Sequence, residues 1–230
     1  ILYAKGGTVM ADSTIYSGGR DGYVRHRETT SWDDAQGSAT TNGDAYDNTV
    51  AYYNEGVLAK IAGSRGSANY DCNRSYFVFD LSGESTEVDS ATISIRMDNL
   101  GTASGNSAKA IMVEATALDG GVEDHGNVFS SGTTWHDDIS DVVTISTTVG
   151  YHVFTMNSDG ITLINDTIDS GGDMTVGLVS WYHDFLDNAP YANGDYSQFL
   201  VSYSEFLFTS ADPKLDLTYV VAAADNATFF

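Results

Sequence analysis

The sequence predicts an all-β protein: a two-sheet antiparallel β-sandwich of the jelly-roll kind, with at most one short helix. Three observations predict it. Short runs of apolar residues alternate with polar ones at period two. Clusters of Gly, Asn, Asp and Ser separate these runs, and the 230 residues include 23 Gly but only 2 Pro. No repeat of 20–50 residues recurs, which argues against a solenoid or a propeller.

The elements follow in chain order. Residues 1–20 read as an N-terminal arm or first strand, residues 21–219 as one sandwich domain, and residues 220–230 as a C-terminal arm. Strands are expected at 22–26, 57–62 and 74–79. The clearest is 91–98, where Ala91, Ile93, Ile95 and Met97 alternate with Thr92, Ser94, Arg96 and Asp98. That spacing places the apolar set on one sheet face and would scatter it around a helix. Further strands are expected at 109–117, 142–145, 151–156, 174–183, 198–208 and 214–220. The runs 74–79 and 174–183 are apolar on both faces, so they belong at the centre under a second covering layer. A phase shift between Tyr203 and Phe206 predicts a β-bulge near Glu205. One helix of a turn or two is expected, capped by Asn157 or Ser158, with Ile161, Leu163 and Ile164 supplying apolar contacts. Residues 27–48 and 184–196 read as exposed polar loops.

Composition excludes several classes of partner. Ten Lys and Arg stand against 32 Asp and Glu, a formal charge of −22. Binding phosphate requires Lys and Arg to displace counterions, so nucleic acid is not an expected partner. Anionic lipid is disfavoured for the same reason, and no stretch reaches the ~18 apolar residues that span a bilayer. Residues 1–7 are too short and too broken to read as a secretory signal. The single cysteine, Cys72, allows neither an internal disulfide nor a cysteine-based zinc site. Beside a strand it reads as a small packed residue.

Catalytic motifs are not apparent. The five histidines, His26, His125, His136, His152 and His183, match no nucleophile elbow, Cys–His signature or helical zinc pair. No catalytic residue is assigned and no enzymatic activity is expected. Hard cations need six to eight oxygen ligands. Asp184, Asp187, Asn188 and Asp195 are the candidate Ca²⁺ ligands, with other acidic clusters at Asp44–Asp47–Asn48 and between Glu123 and Asp141. None has EF-hand spacing, and solvated carboxylates are the simpler reading. The only cofactor expected is structural Ca²⁺, if any. Sugars stack on aromatic rings, so Trp32, Tyr46, Tyr52, Tyr53, Tyr191 and Tyr196 are candidate glycan contacts. Trp181 and Tyr182 fall in an expected strand, where one must face the core. Apolar ends left in water are a liability, which makes Ile1, Leu2, Tyr3, Val220, Val221, Phe229 and Phe230 candidate assembly contacts.

The order of motifs adds a resemblance. Arg74-Ser75-Tyr76-Phe77-Val78-Phe79-Asp80-Leu81-Ser82 precedes Val88-Asp89-Ser90-Ala91-Thr92-Ile93. Tyr151-His152-Val153-Phe154 and Asn157-Ser158-Asp159-Gly160-Ile161 follow, and Asp212-Pro213-Lys214-Leu215-Asp216-Leu217 comes last. From about Asp21 to Tyr219 the chain resembles DNRLRE-type jelly-roll domains related to carbohydrate-binding modules. It is most similar to those found in structural proteins of aquatic tailed bacteriophages. The resemblance implies a non-catalytic virion structural protein on the virion surface. Such a protein is a capsid decoration or cement protein, or a head or tail fibre component, bound to other virion proteins and to copies of itself. The alternative is an extracellular carbohydrate-binding module that recognises a polysaccharide.

Overall fold

The computed structural model of the chain describes residues 9–47, 55–64, 67–99, 105–119, 121–190, 196–203 and 212–221. The expected antiparallel β-sandwich is present. Fourteen strands are described: β1 (Val9–Tyr16), β2 (Gly22–Glu28), β3 (Ala45–Asp47), β4 (Glu55–Ser64), β5 (Ser67–Asp80), β6 (Val88–Asn99), β7 (Lys109–Glu114), β8 (Phe129–Ser131), β9 (Thr134–Trp135), β10 (Val143–Thr144), β11 (Gly150–Thr155), β12 (Asp173–Ser180), β13 (Ser197–Val201) and β14 (Lys214–Val221). One hydrogen-bonded path runs β1-β14-β6-β13-β4-β5-β12-β7-β10, with β11 added to β6 and the β2-β3 pair added to β5. β13 and β4 carry the path from one layer to the other.

The first layer is β1-β14-β6-β11. Ala91, Ile93, Ile95 and Met97 of β6 all face the core, as the alternation required, beside Leu215 and Leu217 of β14 and Phe154 of β11. The second layer is β3-β2-β5-β12-β7-β10. Its inner face contributes Phe77, Phe79, Val176, Leu178 and Met112 to the same cluster. Burying each such side chain stabilises the fold by roughly 1.5–3 kcal/mol.

β5 and β12 are buried on both faces, as their sequences required. The outer face of the second layer holds its own cluster of Val24, Tyr76, Val78, Ile111, Val113 and Val179. Val128 and Phe129 cover it from the segment that leads into the β8–β9 hairpin. Gly177 of β12 admits that cover, because a Cβ there would lie 2.7 Å from Val128 Cγ1.

Several elements differ from expectation. α2 (Ser158–Ser170) runs 13 residues rather than one or two turns. Asn157 caps it by accepting from the Asp159 and Gly160 amides, and Gly171 ends it in the left-handed conformation. Its inward side is Gly160, Ile164, Thr167 and Ile168. Residues 27–48 are not wholly an exposed loop: a short helix, α1 (Trp32–Gln36), forms there with Trp32, Ala35 and Gln36 buried. The strand expected at 174–183 ends at Ser180, and Trp181–Phe185 winds into one π-helical turn. Ser180 Oγ accepts from the His183 amide and caps that turn. β1 occupies Val9–Tyr16 of the N-terminal segment, and β14 extends through Val220 and Val221. The bulge expected near Glu205 lies outside the described residues.

Candidate functional site

Among the described residues, a dense cluster of ionisable and nucleophilic groups lies on the outer face of β5. Alternation points Cys72, Arg74, Tyr76 and Val78 to that side, paired with His26, Val24 and Gly22 of β2. Arg74 is fully buried. An unpaired charge there would be strongly destabilising, and every face of the guanidinium is engaged. Nε and Nη2 donate to Asp184 Oδ2 and Oδ1, both at 2.8 Å. Nη1 donates to the His125 carbonyl at 2.8 Å, and Nη2 also donates to the Gln36 carbonyl at 2.9 Å. The Phe129 and Trp135 rings lie 4.8 and 5.2 Å from the guanidinium carbon, a cation–π arrangement.

Each partner comes from a different covering segment. Gln36 ends α1, His125 belongs to the 3-10 turn Val122–Gly126, and Asp184 belongs to the π-helical turn. Secondary bonds tie these segments together. Gln36 Nε2 donates to the Asp184 carbonyl, and Tyr76 Oη donates to the His125 carbonyl at 3.0 Å. His125 Nε2 reaches the Cys72 carbonyl at 3.3 Å, and His26 Nδ1 reaches the Ala35 carbonyl at 3.0 Å. Asp124 fixes the turn itself by accepting from the Asp119 and Gly121 amides. The cluster is a clasp that fastens three loops onto one strand.

Its electrostatics suit structure rather than chemistry. Burial is the largest influence and would depress the Arg74 charge, but Asp184, Cys72 and Tyr76 together outweigh it and hold the guanidinium above its ordinary value. Burial, reinforced by Asp184, pushes the Cys72 thiol well up. A thiol held protonated is a poor nucleophile. Burial and then the Arg74 charge hold the His125 ring well below the usual histidine range, so it is neutral.

The other candidates are distributed as follows. Asp184 is 1% exposed and commits both oxygens to Arg74. It is therefore not placed as a Ca²⁺ ligand, which corrects the sequence expectation at that residue. Asp187 has φ +51°, and burial followed by Asp33 raises its pKa. Asn188 directs its amide to the Tyr182 and Leu186 carbonyls. Asp195 lies outside the described residues. Among the described residues, no group of three or more His, Cys, Asp or Glu has the geometry to hold a metal ion.

The aromatic set is also divided. Trp32 is 2% exposed and packs with Ala35 and Cys72, so it offers no face to a sugar. That too corrects the sequence expectation. Tyr46 and Tyr196 are half-buried, and Tyr52, Tyr53 and Tyr191 lie outside the described residues. Of the assembly candidates, Val220 and Val221 pair through their backbones with Met10 and Val9. Ile1, Leu2, Tyr3, Phe229 and Phe230 lie outside the described residues.

Two shallow acidic hollows flank α2. One, of about 190 Å³, is lined by Glu114, Asp137, Asp159 and Asp166 among others. The other, of about 340 Å³, is lined by Glu87, Asn165, Asp166 and Asp169 among others. Sequence reasoning missed the clasp, although one signal pointed to it: Arg74 opens a run buried on both faces, where a guanidinium requires a carboxylate. No protein-family model matches the chain, and no curated protein matches it.

Proposed function

We propose that this protein is a non-catalytic structural module that acts by contact, as a virion component of a tailed phage. In that role it decorates or cements the capsid, or contributes to a head or tail fibre. The observation that carries the reading is the clasp. The residues best equipped for chemistry, Arg74, Asp184, His125 and Cys72, are buried and engaged in holding loops. A rigid sandwich with fastened loops suits a part that is recognised rather than one that turns over substrate. The resemblance of the strand-edge motifs to phage jelly-roll domains suggests the virion setting. The charge of −22 keeps crowded copies soluble and discourages adsorption to packaged DNA.

The test is antibody labelling of gradient-purified phage particles, alongside mass spectrometry of their proteins. Stoichiometric labelling of intact particles is expected. Absence of the chain from particles overturns the reading, and binding to a polysaccharide array in the same preparation would replace it with the carbohydrate-binding alternative.

A further inference from the structure

His125 sits beneath the clasp with one ring nitrogen unbonded. The residue is 0% exposed. Its Nε2 meets the Cys72 carbonyl at 3.3 Å. A carbonyl only accepts, so Nε2 carries the ring proton and Nδ1 keeps a bare lone pair. That Nδ1 is buried and has no hydrogen-bond partner among the described residues. A proton added there would turn the ring into a buried cation whose new N–H has nothing to donate to.

The surrounding charges deepen the penalty. From β5, Arg74 donates to the His125 carbonyl at 2.8 Å, while burial holds Cys72 and Tyr76 protonated. From β2, the His26 ring stands edge-on at 5.1 Å. His26 has an acceptor at each nitrogen, the Ala35 carbonyl at 3.0 Å and Glu28 Oε1 at 3.5 Å, so it can carry a charge in place. The carboxylates are engaged elsewhere. Asp184 of the π-helical turn holds Arg74, and Asp124 accepts from the Asp119 and Gly121 amides and from Asn127 Nδ2. On the α1 side, Asp34 accepts from the Thr30 and Ser31 hydroxyls. Asp33 is exposed, as is Glu123 on the turn itself. Ser38 and Ala39, which abut Gly126, add no charge.

The Val122–Gly126 turn belongs to no strand ladder. It is held by Arg74 and Tyr76 on one carbonyl, by His125 on Cys72, and by the Gly43 amide on the Val122 carbonyl at 2.6 Å. A unit fastened at a few points can open without unfolding the domain. We infer that acid lifts the Val122–Gly126 turn off β5 while the sandwich stays folded, with the proton entering at His125 Nδ1. The closed turn resists that proton, because burial, then Arg74 and His26, hold the ring well below the usual histidine range. The open turn takes it at the ordinary value of 6.5. Closure is therefore complete above about pH 6.5 and weakens as pH falls below it. The device goes beyond the virion reading, since an extracellular module with this fold would carry it equally.

Hydrogen exchange of the full chain by NMR, corrected for the intrinsic exchange rate, tests it. The reporter is the Gly43 amide, whose acceptor is the Val122 carbonyl. The reference is Ile93 and Ser94 of β6, between β14 and β11. Protection at Gly43 falls about tenfold per pH unit between about pH 6.5 and 5, the slope of one proton. It stays at least about tenfold below that of Ile93 and Ser94. About 1 M urea speeds exchange in β6 roughly fivefold and leaves Gly43 nearly unchanged, because a local opening exposes little surface. His125→Gln, whose amide can still donate to the Cys72 carbonyl but does not titrate, loses the pH slope, and His26→Gln keeps it. Protection at Gly43 that ignores pH overturns the inference. So does a Gly43 amide that matches β6 in protection and urea response, since the turn then leaves only with the whole fold; both comparisons use the wild-type chain. A slope that survives in His125→Gln, or is lost in His26→Gln, overturns it as well.

Discussion

Replacing Asp184 with Asn probes the clasp with a change of one atom type. The wild-type carboxylate accepts two hydrogen bonds from Arg74, each at 2.8 Å, with both residues sealed from water. Asn keeps one acceptor oxygen and turns an amide donor toward the guanidinium, so one bond is lost and two donors face each other. The larger effect is electrostatic, since Arg74 keeps its charge and no counter-ion remains. Breaking a buried pair by removing one partner costs about 3–5 kcal/mol. In a chain of this length each kcal/mol lowers the melting temperature by roughly 2–4 °C, so Asp184→Asn melts about 6–20 °C lower. Calorimetry, with urea unfolding followed by circular dichroism, measures it. The control is Arg74→Met combined with Asp184→Leu, which removes both charges and recovers most of the loss, because apolar replacements of a buried pair are often neutral. A loss below about 1 kcal/mol for Asp184→Asn alone would show that water reaches the guanidinium and would refute the sealed clasp.

Two further perturbations follow from the same packing. His125 has its pKa depressed in the fold relative to the ordinary value of 6.5, so the unfolded chain binds the extra proton first. Its contribution to stability is complete above about pH 6.5 and falls as pH drops below that, at up to ~1.4 kcal/mol per pH unit. His125→Gln, which does not titrate, has a shallower stability slope between pH 6.5 and 5 in urea unfolding, and equal slopes would remove His125 from the acid response. At the start of α2, a Cβ on Gly160 would lie 2.3 Å from the Ile139 carbonyl oxygen. That contact is to backbone, which cannot swing away, so Gly160→Ala destabilises by about 1–3 kcal/mol. A melting temperature within 1 °C of wild type would show that the helix shifts freely.

What could be read in advance depended on whether the signal was local. β6 was legible because one face of a sandwich strand is buried and the pleat has period two. β5 and β12 were legible as central strands because an apolar run needs cover on both sides. The start of α2 was marked by Asn157, but its length was hidden by Asn165, Thr167 and Asp169, polar residues that broke the apolar pattern. Thr167 is nonetheless buried, with its hydroxyl donating to the Leu163 carbonyl. α1 escaped notice because five residues make too short a periodic signal and the burial of Trp32 is a tertiary fact. The π-helical turn escaped because Trp181 and Tyr182 continue the apolar run, and only the Ser180 cap redirects the chain.

The candidate site was the least legible part, because Arg74 and Asp184 are 110 residues apart and no spacing rule joins them. Reading 184–196 as one acidic loop treated Asp184 as solvated, when it is the counter-ion of a buried strand residue. An apolar pair of similar volume would stabilise this position as well or better, so added stability is a weak account of the ion pair. What it adds is direction. A guanidinium fork and a carboxylate meet in one plane and one register, and the remaining donors take the His125 and Gln36 carbonyls in the same act. Greasy side chains would let α1, the 3-10 turn and the π-helical turn slide over β5, and the clasp gives them one arrangement. That fixes the shape of the loops over the outer face of the second layer.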